Sequence, residues 1–97
     1  MAEGVLSYVI CYDIPSDRRR VRLAKLLDGY GHRVQYSVYE VVLSGALFVK
    51  LLKQIESIAD AREDRVAFYP VCAACVRKRL MVGAAAAWPD HERVFVV

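Results

Sequence analysis

Both alternating residue sets of Val5–Tyr12 are largely apolar: Val5, Val9 and Cys11 on one side, Leu6, Tyr8, Ile10 and Tyr12 on the other. A strand of that kind has to be covered on both faces. The demand is severe for a chain of 97 residues, which builds one small domain around a single core. Its apolar share is 57%, above the roughly one-half usual for soluble domains. Some of that surface is therefore expected in a contact between subunits.

The rest of the pattern supplies cover for one face. Ser16 suits a helix N-cap and Asp17 the positive end of the helix. A helix then runs to about Asp28, with Leu23, Ala24 and Leu27 on one side, and Gly29 and Gly31 end it. A second strand spans Arg33–Leu43, and its apolar alternation changes phase near Val38, which suggests a bulge or a face switch. Ser44-Gly45 leads into a second helix with Phe48, Leu51, Leu52, Ile55 and Ile58/Ala59 as its apolar stripe. Arg65–Val71 and Val76–Val82 read as further strands, Ala84–Pro89 as an irregular passage, and Arg93–Val97 as a short terminal strand. Together the chain reads as one α+β domain of ferredoxin-like β-α-β-β-α-β order with an extra C-terminal strand. Two helices cover one face of such a sheet. A second copy of the same sheet is the simplest cover for the other, which predicts a homodimer.

The apolar stretches fall far short of the ~18 residues a membrane span needs, and the first residues lack the basic region of a signal peptide. Three cysteines, Cys11, Cys72 and Cys75, make an odd count suited to a reducing compartment. A soluble, cytoplasmic protein with no membrane partner is expected.

Net charge is only +3, but it is unevenly spread. Arg18, Arg19, Arg20, Arg22, Lys25 and Arg33 crowd one segment, and Arg77-Lys78-Arg79 forms a second knot. A basic side fits a binder of phosphate backbones, or equally a solvated helix face. Arg18, Arg22 and Lys25 share a face opposite the apolar one, while Arg19 or Arg20 is expected to pair with Asp17 or Glu40. Immediately before this cluster the first strand ends on Asp13. A strand-end carboxylate can take Mg²⁺ together with water and phosphate oxygens, most readily if a two-fold dimer brings two copies to the axis. It can as well be a turn residue capping the loop into the helix.

Gln35-Tyr36-Ser37-Val38-Tyr39-Glu40 puts polar groups into an apolar strand, either bonded within an interface or displayed in a site. Tyr12, Tyr36 and Tyr39 are candidates to stack on bases, though core aromatics at this spacing are commoner. Cys72-Ala-Ala-Cys75 has CxxC spacing; one chain lacks the four ligands of a structural zinc, although a dimer could assemble four thiolates across its axis, so zinc or redox work is the alternative to the expected reading of two small, mostly buried thiols, with Cys11 in the core. His32 and His91 have no neighbouring nucleophile, and no glycine-rich phosphate loop exists, which argues against Ser or Cys hydrolase chemistry.

The run Tyr12-Asp13-Ile14-Pro15-Ser16-Asp17-Arg18-Arg19-Arg20, followed by Gly31-His32-Arg33-Val34-Gln35-Tyr36-Ser37-Val38-Tyr39-Glu40, resembles the CRISPR-associated Cas2 family. The likeness extends in length and element order over the chain and is most specific in its first forty residues. It implies a homodimer whose sheets pack face to face, with the terminal strand crossing to the partner. It implies work in spacer acquisition beside the Cas1 integrase, holding a duplex of foreign DNA. It also implies a Mg²⁺-dependent endonuclease acting on single-stranded RNA or double-stranded DNA. The family's metal-linked, catalytic aspartate corresponds to Asp13 and its basic residues to Arg18, Arg19 and Arg20, with Arg22 and Lys25 extending the nucleic-acid surface and Tyr12, Gln35, Ser37 and Tyr39 supporting the site. Tyr39 stands where Phe is common, and Cys72/Cys75 lies outside the family's functional pattern. Three roles follow for testing: a metal-dependent phosphodiesterase, a non-catalytic DNA-holding adaptor, and, since this fold hosts many functions, a small-molecule sensor.

Overall fold

A computed structural model describes residues 4–82 and the short strand Val94–Phe95. Its elements are β1 (Leu6–Asp13), α1 (Asp17–Asp28), β2 (Gly31–Gln35), β3 (Val38–Leu43), α2 (Gly45–Ile58), β4 (Arg65–Val71), α3 (Ala73–Arg77), β5 (Met81–Val82) and β6 (Val94–Phe95). The first four strands form one antiparallel sheet in the order β2-β3-β1-β4. With α1 and α2 on one side, this is the ferredoxin-like arrangement expected from the sequence. Pro70 is tolerated because β4 is an edge strand, where a missing N–H need not break a ladder.

The helices form where the sequence provides caps. The Ser16 hydroxyl accepts from the Arg19 amide at 3.2 Å, and Ser44 does the same for Leu47. Leu23, Ala24 and Leu27 of α1 and Leu51 and Ile55 of α2 are buried. They meet Ile10 and Tyr12 of β1 and Tyr39, Val41 and Leu43 of β3 to make the core. Tyr8, Phe48 and Phe68 extend it as an aromatic trio, with ring centres 5.0 to 5.9 Å apart.

The other sheet face carries Ser7, Val9, Cys11 and Asp13 of β1, Val38, Glu40 and Val42 of β3, and Arg65, Ala67, Tyr69 and Val71 of β4, as the strand registers require. Val42 and Tyr69 remain 58% and 56% exposed there. One end of this face, near Ser7 and Val71, is covered by α3 of the same chain rather than left for a second copy. Arg79, just beyond α3, reaches back to Glu40 at 3.7 Å.

Three expectations need correction. The long strand over 33–43 is a hairpin: β2 and β3 flank a turn at Tyr36-Ser37, and the phase change near Val38 is the reversal itself. A single interruption in alternation looks alike for a bulge and a tight turn, and no Asn-Gly or Asp-Gly signal marks this one. The strand expected over Val76–Val82 is instead α3, which contains Val76 and Arg77, followed by only two extended residues. The terminal strand is present as Val94–Phe95, but it runs parallel to β5 in a separate two-stranded pair. The irregular passage 84–89 and His91 lie outside the described residues. Among those described, no helix is long and apolar enough to cross a membrane.

Candidate nucleic-acid interface

The acid at the end of β1 is held by its neighbours rather than by its own contacts. Tyr12 is anchored twice to the β2–β3 turn: its amide donates to the Ser37 carbonyl and its hydroxyl to the Tyr36 carbonyl, both at 3.0 Å. Ile14, 98% hidden, plugs the core on the other side of Asp13. The Asp13 carboxylate between these anchors is exposed and makes no side-chain hydrogen bond or ion pair among the described residues. It lies on the same sheet face as Val9 and Cys11, and Arg65 of β4 sits opposite it in register. The turn-capping alternative for Asp13 is thus set aside; Ser16 performs the helix cap.

The structure divides the arginine cluster. Arg18, Arg22 and Lys25 are exposed along one side of α1. Arg19 is engaged elsewhere: its guanidinium donates to both carboxylate oxygens of Asp64, at 2.7 and 3.0 Å, and to Glu63 at 3.4 Å. Asp64 is hidden from solvent and also accepts from the Asp60 amide, so Arg19 first and that amide second hold its pKa below the ordinary carboxylate value. This pair clamps α1 to the α2–β4 loop. Arg19 therefore departs from the expected Asp17 or Glu40 partner. Arg20 takes Asp17, as expected, and also donates to the Ile14 carbonyl at 2.7 Å, bracing the β1–α1 connection that follows Asp13.

The tyrosines separate as sharply. Tyr39 is fully buried, and its hydroxyl donates to Asp28 at 2.5 Å, with the Ala24 carbonyl 3.2 Å away. Arg33 donates to the same hydroxyl at 3.1 Å and lies 5.5 Å from the ring centre. Burial, then the bond to Asp28, pushes the Tyr39 pKa up, so it stays a neutral strut between sheet and α1. Tyr12 is also buried and likewise raised by burial. Neither ring is placed to stack on a base. Tyr36, at the hairpin tip, is 88% exposed. It borders a cavity of about 240 Å³ shared with Tyr12, Arg20, Arg33 and Ser37. Gln35 is exposed and Ser37 half-buried beside it.

The cysteines reverse an expectation. Cys72 and Cys75 are exposed, because they sit at the start of a short helix at the sheet's rim; Cys11 is half-buried on the open face instead of in the core. Arg65 was not legible as a neighbour of Asp13, since only the β1–β4 register brings the two together.

The most specific part of this arrangement is the acid-tipped strand leading into an arginine-rich helix, tied to a Gln-Tyr-Ser turn. Residues 6–79 match the family model described as CRISPR associated protein Cas2. The chain belongs to the Cas2 family. A Rhodospirillum rubrum protein named CRISPR-associated endoribonuclease Cas2 4 is 44% identical over 90 residues, which is 93% of this chain and 73% of that one. The crystal structure of Streptococcus pyogenes Cas2 at pH 6.5 superposes with a TM-score of 0.72 at 29% identity, covering 79% of this chain and 99% of that chain. A chain of a partial Cas6-RT-Cas1–Cas2 complex gives a TM-score of 0.68 at 31% identity, over 76% and 81% of the two chains.

Whether the Cas2 site suits Mg²⁺ depends on its donors. Among the described residues no group of three or more His, Cys, Asp or Glu side chains could cage an ion. Asp13 is an open, unpaired oxygen donor. That suits an ion which keeps most of its waters and takes one or two carboxylates plus substrate phosphates, and it does not suit a preformed all-protein site.

Proposed function

We propose that this chain is a Cas2 adaptation subunit that binds nucleic-acid backbones as a homodimer and cleaves phosphodiester bonds with Mg²⁺ at Asp13. The observation that carries the reading is the Asp13 carboxylate, unpaired among the described residues, on the sheet face not covered by α1 and α2, with the exposed Arg18, Arg22 and Lys25 on the helix that follows. In the dimer, the exposed Val42 and Tyr69 faces pack together, and two Asp13 carboxylates approach the axis. The two carboxylates would hold Mg²⁺ there, which would supply charge neutralisation at the phosphate and a more acidic water. The chain's own residues do the remaining work. Arg18, Arg22 and Lys25 position the backbone without reading sequence, and Arg20 steadies the loop after Asp13 through the Ile14 carbonyl. Membership of the Cas2 family, the endoribonuclease name of the Rhodospirillum relative and the complex that pairs Cas1 with Cas2 support a place beside the Cas1 integrase.

The test is Asp13→Asn assayed on single-stranded RNA and on double-stranded DNA, with and without Mg²⁺. Cleavage should disappear while binding in the absence of metal and the melting temperature are retained, because Asp13 is exposed and unpaired. Cleavage that survives unchanged removes Asp13 from the chemistry. A second reading, a DNA-holding adaptor without catalysis, draws on the absence of a multi-carboxylate cage among the described residues. It predicts that Asp13→Asn still supports spacer integration by a reconstituted Cas1–Cas2 complex.

A further inference from the structure

Cys72 and Cys75 have no part in the function proposed above. Both thiols are exposed on the surface of the chain. Cys72 stands at the N-cap of α3 and Cys75 is the third residue within it. The Cys72 carbonyl accepts the first helical hydrogen bond, from the Val76 amide at 3.0 Å, so the two residues already lie one helical turn apart. An i, i+3 pair in α-helical geometry has Cα atoms about 5 Å apart, inside the roughly 4.4–6.8 Å range that a disulfide spans. The folded backbone therefore admits the bond without rearranging α3.

The pair is chemically unequal. The Cys75 amide, then the Cys75 thiol, then the Ala74 amide and the Arg77 guanidinium, favour the Cys72 thiolate and hold its pKa below the ordinary thiol value. The same neighbour works the other way on Cys75: proximity to Cys72 pushes its pKa up. Few other charged groups among the described residues lie on this segment. Lys78 and Arg79 follow on the same segment, with Arg79 occupied at Glu40, and Glu40 is directed to that arginine. Cys75 also lines a small cavity of about 130 Å³, shared with Val9, Val71 and Val76 and with the Glu40 and Arg79 pair.

We propose that Cys72 and Cys75 form a thiol–disulfide exchange site for low-molecular-weight disulfides, with Cys72 as the attacking thiol and Cys75 as the resolving one. The Cys72 thiolate attacks one sulfur of the disulfide RSSR, forming a Cys72–S–S–R bond and releasing RS⁻. Cys75 gives up its proton and its thiolate attacks the Cys72 sulfur. That closes the Cys72–Cys75 bond and expels the second RS⁻, which is protonated. The net change is two protein thiols oxidised and one RSSR reduced to two RSH. The site is independent of Asp13 and of any nuclease activity.

The experiment uses the full chain incubated with oxidised glutathione at neutral pH, quenched by alkylation and read by peptide mass. The expected product is an internal Cys72–Cys75 disulfide formed at least about tenfold faster than any adduct on Cys11. Cys75→Ser should accumulate a stable glutathione adduct on Cys72. Cys72→Ser should lose most of the fast reaction. Equal, slow modification of all three thiols overturns the proposal, as does an adduct that persists on Cys72 with Cys75 intact. Adding zinc ions before oxidation gives the competing outcome. If about half an equivalent of zinc per chain protects both thiols from alkylation, the pair is a metal site assembled between two chains and the exchange reading fails.

Discussion

The division of the arginine cluster makes a quantitative forecast for nucleic-acid binding. Arg18, Arg22 and Lys25 are open to solvent, whereas Arg19 and Arg20 are matched by Asp64 and Asp17. In a dimer the three open side chains recur, giving on the order of six phosphate contacts, and each contributes about 0.9 to the slope of log affinity against log salt on duplex DNA. Replacing all three by Ala should flatten that slope by up to about 5, so the roughly thousandfold loss of affinity that six such contacts predict between about 50 and 200 mM salt should largely disappear. Arg19→Ala should barely change the slope, since a charge already neutralised by Asp64 releases few counterions, yet it should lower the melting temperature by unfastening α1 from the α2–β4 loop. Fluorescence anisotropy with two unrelated duplexes across about 50–200 mM NaCl measures both slopes. An Arg19→Ala slope as flat as that of the triple variant, or a loss that differs between the duplexes, would refute this division of the cluster.

Tyr39→Phe removes the hydroxyl shared by Asp28, Ala24 and Arg33; with Asp28 and Arg33 exposed and able to rehydrate, the cost should stay near 1 kcal/mol in a urea titration. Gly31→Ala should cost far more than a helix-propensity change, about 3 kcal/mol or greater, because the added Cβ would lie 2.2 Å from the Glu40 carbonyl oxygen and 2.5 Å from the Val41 side chain; equal chemical-denaturation midpoints would refute the close approach. Asp64 has a folded pKa below its unfolded one, so its contribution is present above the ordinary value near 3.8 and fades as pH falls through the lowered folded value. Acid unfolding followed by circular dichroism should then show Asp64→Asn less stable than the parent at neutral pH, with the gap closing as pH falls below 3.8 and through the lowered folded value.

The sequence was most legible where local chemistry determines structure. The caps at Ser16 and Ser44, the apolar stripes of α1 and α2, and the two-sided strand β1 each read directly, because period and capping are properties of neighbouring residues. The Asp13-Arg18 order was visible for the same reason. Contacts that span the chain were hidden. Nothing near Arg19 announces Asp64, forty-five positions away, and nothing near Asp13 announces Arg65. The stretch from Val76 to Val82 misled because its Val, Leu and Met content suits a strand, and the five-residue helix that takes up its first residues is too short for periodicity to speak. Tyr12, Tyr36 and Tyr39 were equivalent as letters; burial alone separates the two struts from the exposed ring at the tip.

That exposed ring has a mechanical relationship to the acid. Tyr12 grips the hairpin through its own amide and its own hydroxyl, so the tip carrying Tyr36 and the residue immediately preceding Asp13 are coupled like two ends of a short lever. A strand of nucleic acid that presses on the tip would nudge the carboxylate with it, and engagement at the hairpin would be felt where the chemistry is proposed to occur.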